Sequence, residues 1–362
     1  MTLEEFRRRA IAHTLFPRTT LMPAIERLGY VQADPIRAPA RAQDLILFQR
    51  VARYRAGDLE SRFSKLPVFE DSIFNYGFFP ATVKDILLPR ALSPRWQAFM
   101  ESHTSLRRRV LSYLKSHAEA HPRDIEAALG AGRRTNGWGG TSSATTMMLE
   151  GLHREGRVDV LRRDGGIRVY GPAKPRTAAL SPTQRAKALI HLMANLYAPC
   201  PEGTLKTMAR SMQRTRAAID FEACYDRMVR RGELVVQRVG RIAYVWPATL
   251  ASECAPHEGV RFLAPFDPLV WDRKRFAHFW GWDYRFEAYT PEAKRKMGYY
   301  ALPMLWREDV IGWVNASVEK GRLTVKPGYA KRMSRADKPA FQRAFDEELE
   351  RFAWFLQTQR AK

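Results

Sequence analysis

Gln32 and Asp34 flank Ala33 on a stretch, Tyr30 to Asp34, that reads as short and extended before Pro35. Alternate side chains of an extended chain point the same way, so this amide and carboxylate can act on one point. A carboxylate so placed can take a proton from water, or steady a positive charge developing on a substrate, while the amide orients the water. The competing use is structural, because an Asp before Pro commonly shapes a turn or caps a helix. Other chemistries lack their patterns: the chain has no phosphate-cradling Gly loop, no His-Glu-x-x-His pair and no Gly-x-Ser-x-Gly elbow. Nucleotide hydrolysis and zinc chemistry are therefore not expected, and no cofactor is. Cys200, Cys224 and Cys254 form no Cys-x-x-Cys pair; they read as reduced, mostly buried thiols, and no metal site is expected. Asp267 and Asp272 resemble an acidic pair, but beside Pro268 and Trp271 they read as capping a packed segment, and Trp280 and Trp282 as core.

The partner is written in the charge. Lys and Arg total 60 against 38 Asp and Glu, a net charge of +22, which calls for a polyanion. A bilayer is a poor candidate, since no stretch approaches the roughly 20 apolar residues that span one. Met1 to Phe16 lacks the apolar run of a secretory signal. The expectation is a cytoplasmic, nucleoid-associated monomer on duplex nucleic acid.

The elements that position Gln32 and Asp34 follow from periodicity. A chain of 362 residues exceeds one compact core. The fold class expected is α+β: tandem winged-helix modules with a small C-terminal β domain. The boundaries read as 1–100 (mainly helical, winged-helix-like, carrying Gln32 and Asp34), 101–175 and 176–250 (one winged helix each), and 251–362 (β domain with a closing helix). Thr2 and Glu5 stand in a capping-box relation, and a helix around Leu21 to Leu28 ends at Gly29; the wing of this first unit is not visible. In the second unit, Leu106, Val110, Leu111 and Leu114 mark one helix and Asp124 to Leu129 another. A Gly- and Asn-rich loop, Gly130 to Gly140, precedes a third helix capped from Thr141, Ser142 or Ser143, and a hairpin turns at Arg162 to Gly166. The third unit repeats the order, with its hairpin around Val239-Gly240, and residues 171 to 182, with Pro172, Pro175 and Pro182, read as the linker between the two. Strand-like pieces from Val260 to Val325 and a helix from Lys338 to Gln357 close the chain.

In a winged helix the third helix enters the major groove and the wing touches the backbone. Arg133, Arg134, Ser142 and Ser143 border that helix in the 101–175 unit, and Arg162 and Arg163 decorate its wing. The equivalent helix of the next unit carries Asp220, Glu222 and Asp226, which repel phosphates. Arg37, Arg41 and Arg273 complete the expected set of DNA contacts.

The run Gly29-Tyr30-Val31-Gln32-Ala33-Asp34-Pro35-Ile36, continuing through Ala40 to Arg50, resembles the signature of the AlkZ/YcaQ family of bacterial DNA glycosylases. Phe262 to Arg273 and Lys296 to Leu305 match it further along, in the family's order. The resemblance implies tandem winged-helix modules with a C-terminal β part, no cofactor, and removal of alkylated bases or unhooking of interstrand crosslinks. It also implies that Gln32 and Asp34 are the Gln-x-Asp form of the catalytic motif, acting at the sugar beside an open groove. An N7-alkylated purine is already cationic and leaves without a general acid; an anion and an oriented water suffice. One stretch departs from the crosslink-acting branch: Ile73 to Phe79 has Gly77 and Phe79 where that branch carries Trp and His. Gly312 to Ser317 also lacks the charged pattern expected there. The alternative reading is therefore a nonenzymatic winged-helix DNA-binding protein or regulator, with RNA binding a further possibility.

Overall fold

In a computed structural model, residues 1–130, 132–135, 141–174, 180–216, 218–250, 257–330 and 337–360 are described. Cys254, Pro175 and the tip of the Gly- and Asn-rich loop lie outside them, as do the side chains of Arg133, Arg134 and Ser142.

The first unit comprises α1 (Leu3–Thr14), α2 (Leu21–Leu28), β1 (Val31–Gln32), α3 (Ala42–Phe48), α4 (Asp58–Arg62), β2 (Val68–Ser72), β3 (Tyr76–Pro80), α5 (Lys84–Leu87) and α6 (Pro94–Ser102). Both halves of the Thr2–Glu5 capping box form. Gly29 ends α2 at φ +70°, which glycine adopts without strain, and a Cβ there would displace the Leu192 side chain of the third unit, 2.4 Å away. β1, β3 and β2 make an antiparallel sheet in that order. Its β2–β3 hairpin was not visible in the sequence.

α7 (Thr104–Ser116), α8 (Pro122–Leu129), α9 (Ala144–Arg154) and the hairpin β6 (Val158–Asp164)–β7 (Ile167–Pro172) follow. The expected loop between α8 and α9 contains a short antiparallel pair, β4 (Arg133–Thr135) with β5 (Thr141–Ser143), a correction to the loop reading. The order recurs in α10 (Pro182–Leu196), β8 (Cys200–Pro201), α11 (Glu202–Gln213), α12 (Phe221–Arg230), β9 (Leu234–Val239) and β10 (Ile242–Pro247). Cys200 and Cys224 are free and buried.

The C-terminal part holds β11 (Val260–Phe262), α13 (Arg273–Trp280), β12 (Leu302–Trp306), β13 (Asp309–Glu319), β14 (Arg322–Tyr329), α14 (Lys338–Leu356) and β15 (Gln359–Arg360), the strands forming one five-stranded sheet in chain order. It folds back on the start of the chain. Phe6, Ala10 and Ile11 of α1 share a core with Tyr244 and Trp246 of β10 and Phe276, Phe279 and Trp280 of α13. Phe352 and Phe355 of α14 pack on Phe48 of α3. The fold is thus α+β, and the first unit is clamped between the third unit and the C-terminal sheet.

Candidate active site

β1 is two residues long, but Ala33 N–H donates to the Tyr76 carbonyl at 3.0 Å and prolongs the pairing with β3. The alternation then puts Gln32 and Asp34 on one side. Gln32 stands opposite Gly77. A Cβ at Gly77 would lie 2.4 Å from both the Tyr30 ring and the Val31 carbonyl, so the strand pairing beside Gln32 leaves no room for a side chain there. Phe79, the other departure, is fully buried and packs on Tyr30 and Phe69.

Gln32 is 5% exposed, and among the described residues its side-chain amide takes no hydrogen bond. Asp34 is half-buried; its Oδ1 accepts the Ile36 N–H at 2.8 Å, the turn expected of Asp before Pro, and among the described residues Oδ2 has no hydrogen bond. Burial raises the Asp34 carboxyl above its ordinary value, and the Ile36 N–H opposes this. The Asp34 N–H reaches Gln43 Oε1 at 3.4 Å, Gln43 Nε2 donates to Glu60 at 3.1 Å, and Arg41 pairs with the same Glu60. The loop after Asp34 is therefore tied to α3 and α4.

Beyond this loop opens a cavity of about 670 Å³, walled on one side by Arg37, Ala38 and Pro39 and on the other by Tyr299, Tyr300, Asn315 and Lys326. Arg37 and Lys326 are exposed at it. The far wall is rigidly held: the Glu287 carboxylate accepts the N–H groups of Lys296, Met297 and Gly298, and Asn315 Nδ2 donates to the Met297 carbonyl at 2.7 Å. Tyr300 is 4% exposed, and its hydroxyl has no partner among the described residues. Sequence reasoning missed it. The only signal was its place in the Lys296 to Leu305 match, where nothing sets it apart from Tyr299.

The expected DNA contacts divide. Arg37 is at the cavity. Arg41 is engaged by Glu60 and lies against Gly166 at the β6–β7 tip. Arg162 is 40% exposed and pairs with Glu119. Arg163 and Arg273, expected on DNA, have internal work instead. Arg163 and Arg168 both grip Glu70, a fully buried carboxylate on β2. Arg273 donates to the Pro265 and Val270 carbonyls and lies over the Tyr284 ring. Ser143 Oγ caps α9 by accepting the Thr146 N–H at 3.0 Å. β4 and β5 carry Arg133, Arg134 and Ser142. Asp272 likewise caps α13, through the Arg275 N–H.

Burial alone would raise the Glu70 carboxyl, but the guanidiniums of Arg168 and Arg163 reverse this and hold it below the usual carboxylate value. A depressed value adds stability at neutral pH that disappears as pH falls from about 4.3, the unfolded value, through the folded one. Glu70→Gln, which leaves two guanidiniums without their counter-charge, is expected to lower the urea midpoint at pH 7 and to flatten the stability loss below pH 5. An unchanged acid profile would contradict the pairing.

Among the described residues no group of three or more His, Cys, Asp or Glu could hold a metal ion, and no helix is long and apolar enough to cross a membrane. The site is an amide and a partly desolvated carboxylate, Gln32 and Asp34, on the segment leading into a cavity that Arg37, Lys326 and the Tyr300 phenol line, the phenol having no hydrogen-bond partner among the described residues. A family model described as DNA glycosylase AlkZ-like matches residues 25–355, which contain every element of this site. The chain therefore belongs to the AlkZ-like DNA glycosylase family.

Proposed function

We propose that this protein is a monofunctional DNA glycosylase that hydrolyses the N-glycosidic bond of N7-alkylated purines in duplex DNA. The observation that carries this reading is the extended pairing that puts Gln32 and Asp34 on one side of the chain, on the segment that leads into Arg37 at the cavity. Asp34 faces the sugar as its positive charge develops, and Gln32 orients the water. The three repeats of helix, short strand (in the second unit only the Ala120–Tyr170 bridge), two helices and hairpin are read as winged-helix modules, with divisions near residues 100, 175 and 250. The 101–175 unit grips the duplex through Arg162 and the α8–α9 connection, which carries Arg133, Arg134 and Ser142. The protein works as a monomer at the nucleoid.

The lesion is a monoadduct rather than a crosslink. The support is the crowding at Gly77, beside Gln32, which leaves no place for a polar ring there. Incubation of the protein with duplex DNA carrying N7-methylguanine is expected to release the free base, with unhooking of an N7–N7 crosslink slower. Crosslink unhooking faster than monoadduct release would reverse the preference. No release from any alkylated duplex, with tight sequence-specific binding to undamaged DNA, would favour a regulator.

Affinity for the duplex is expected to fall steeply with salt, by about 0.9 logarithmic units per phosphate contact per decade of salt. Arg37→Ala should reduce that slope by about one contact. A slope indifferent to salt would remove the electrostatic grip.

A further inference from the structure

We propose that Tyr300 is a further catalytic residue, whose hydroxyl oxygen holds the attacking water against Asp34 Oδ2. The inference rests on the glycosylase reading above. Three observations support it. The Tyr300 side chain lines the cavity adjoining the Asp34 loop yet is 4% exposed. Its hydroxyl is buried without a hydrogen-bond partner among the described residues, an arrangement that costs stability and marks a group awaiting a ligand. Its ring is fixed edge-on by Phe286 at 5.3 Å, and the Glu287-capped loop at 296–298 fixes its backbone.

Electrostatics agree with this placement. Burial first, and the Asp34 charge second, push the Tyr300 hydroxyl well above its ordinary value, so it stays protonated and neutral at any physiological pH. No hydrogen bond joins the phenol to the carboxylate among the described residues. A water between them gives one O–H to Asp34 Oδ2 and the other to the phenol oxygen, and its free lone pair faces C1′ of the sugar. As the water oxygen bonds to C1′, the C1′–N9 bond breaks and its electron pair neutralises the cationic purine. The water's proton passes to Asp34 and then to solvent, which leaves a hydroxyl on C1′ and a neutral alkylpurine.

The test is Tyr300→Phe in the full chain, assayed by single-turnover release of N7-methylguanine, with duplex affinity and thermal midpoint measured beside it. The expected result is a rate about 100- to 1,000-fold lower, with affinity unchanged and a midpoint no lower than that of wild type. Release at the wild-type rate overturns the proposal. A crystal structure of the DNA-free protein supplies an arm independent of activity, and an ordered water within hydrogen-bond reach of both Tyr300 Oη and Asp34 Oδ2 is expected. Its absence, or a Tyr300 hydroxyl bonded elsewhere, overturns the assignment even in an active enzyme. A wild-type protein that releases no base defeats the glycosylase reading instead, and the crystallographic arm then decides Tyr300 alone.

Discussion

Asp34→Asn is expected to slow base release from alkylated duplex DNA by about 10²- to 10⁴-fold while leaving duplex affinity unchanged. Asn keeps an oxygen to accept the Ile36 N–H, so the turn into Pro35 survives and only the charge is lost. Because burial raises this carboxyl, wild-type single-turnover rates should fall on acidification at a pH above the roughly 3.9 of an exposed Asp. The stability effect has the opposite sign. A carboxyl raised in the folded state favours its neutral form there, so its contribution is fully present below the unfolded value and is lost as pH rises through the folded one. The neutral Asn escapes that loss, and the variant should be more stable than wild type at pH 7, the difference vanishing in acid. Equal release by the two proteins would remove Asp34 from the mechanism, and a destabilised variant would contradict its desolvation.

Asp267→Ala is expected to cost about 3–5 kcal/mol of stability, the largest effect of any single substitution considered. Both members of the Arg50–Asp267 pair are 0% exposed, and two hydrogen bonds of 2.7 and 2.9 Å join them. The same guanidinium donates to the carbonyls of Thr14 and Ile46, so one buried charge fastens the end of α1, α3 and the turn before α13. Without Asp267 that charge stays buried with no counterion. α3 also anchors the Asp34 loop through Gln43, so the variant should lose activity as well as stability. Urea unfolding at pH 7 measures the first effect, and Glu119→Ala, which breaks only the surface pair with Arg162, serves as the control expected to leave the midpoint unmoved. A similarly small change for Asp267→Ala would mean that the buried pair is not what joins these elements.

What could be read from the sequence was whatever local chemistry determines. The capping box at Thr2, the stop at Gly29, the hairpin turns at Gly165-Gly166 and Val239-Gly240, and the final helix all rest on neighbours a few residues apart. The β2–β3 hairpin did not yield to such reading because β2 buries Glu70 and Asp71, whose partners Arg163, Arg168 and Arg90 come from elsewhere in the chain. Two charges on a strand hide its alternation until those arginines arrive. α13 was concealed similarly: Arg273 and Arg275 look like surface, yet Arg275 is fully buried by bonds to the carbonyls of Tyr197, Pro199 and Pro268. At the site, the Gln32–Asp34 spacing was visible, and so was the rival turn, which forms through the Asp34–Ile36 bond and takes one carboxylate oxygen. The far wall of the cavity was not visible. Tyr300 reaches it only because α1 and α14 draw the C-terminal sheet back onto the first unit.

The most direct measurement of the central claim, that Asp34 acts on a cationic sugar, is the affinity of wild type and Asp34→Asn for a duplex in which one nucleotide is replaced by a cationic pyrrolidine mimic of the ribosyl cation. Transition-state mimicry predicts that wild type binds this duplex at least about 100-fold more tightly than an uncharged abasic analogue, and that Asp34→Asn loses that margin. Equal preference for the cationic duplex in both proteins would contradict the account.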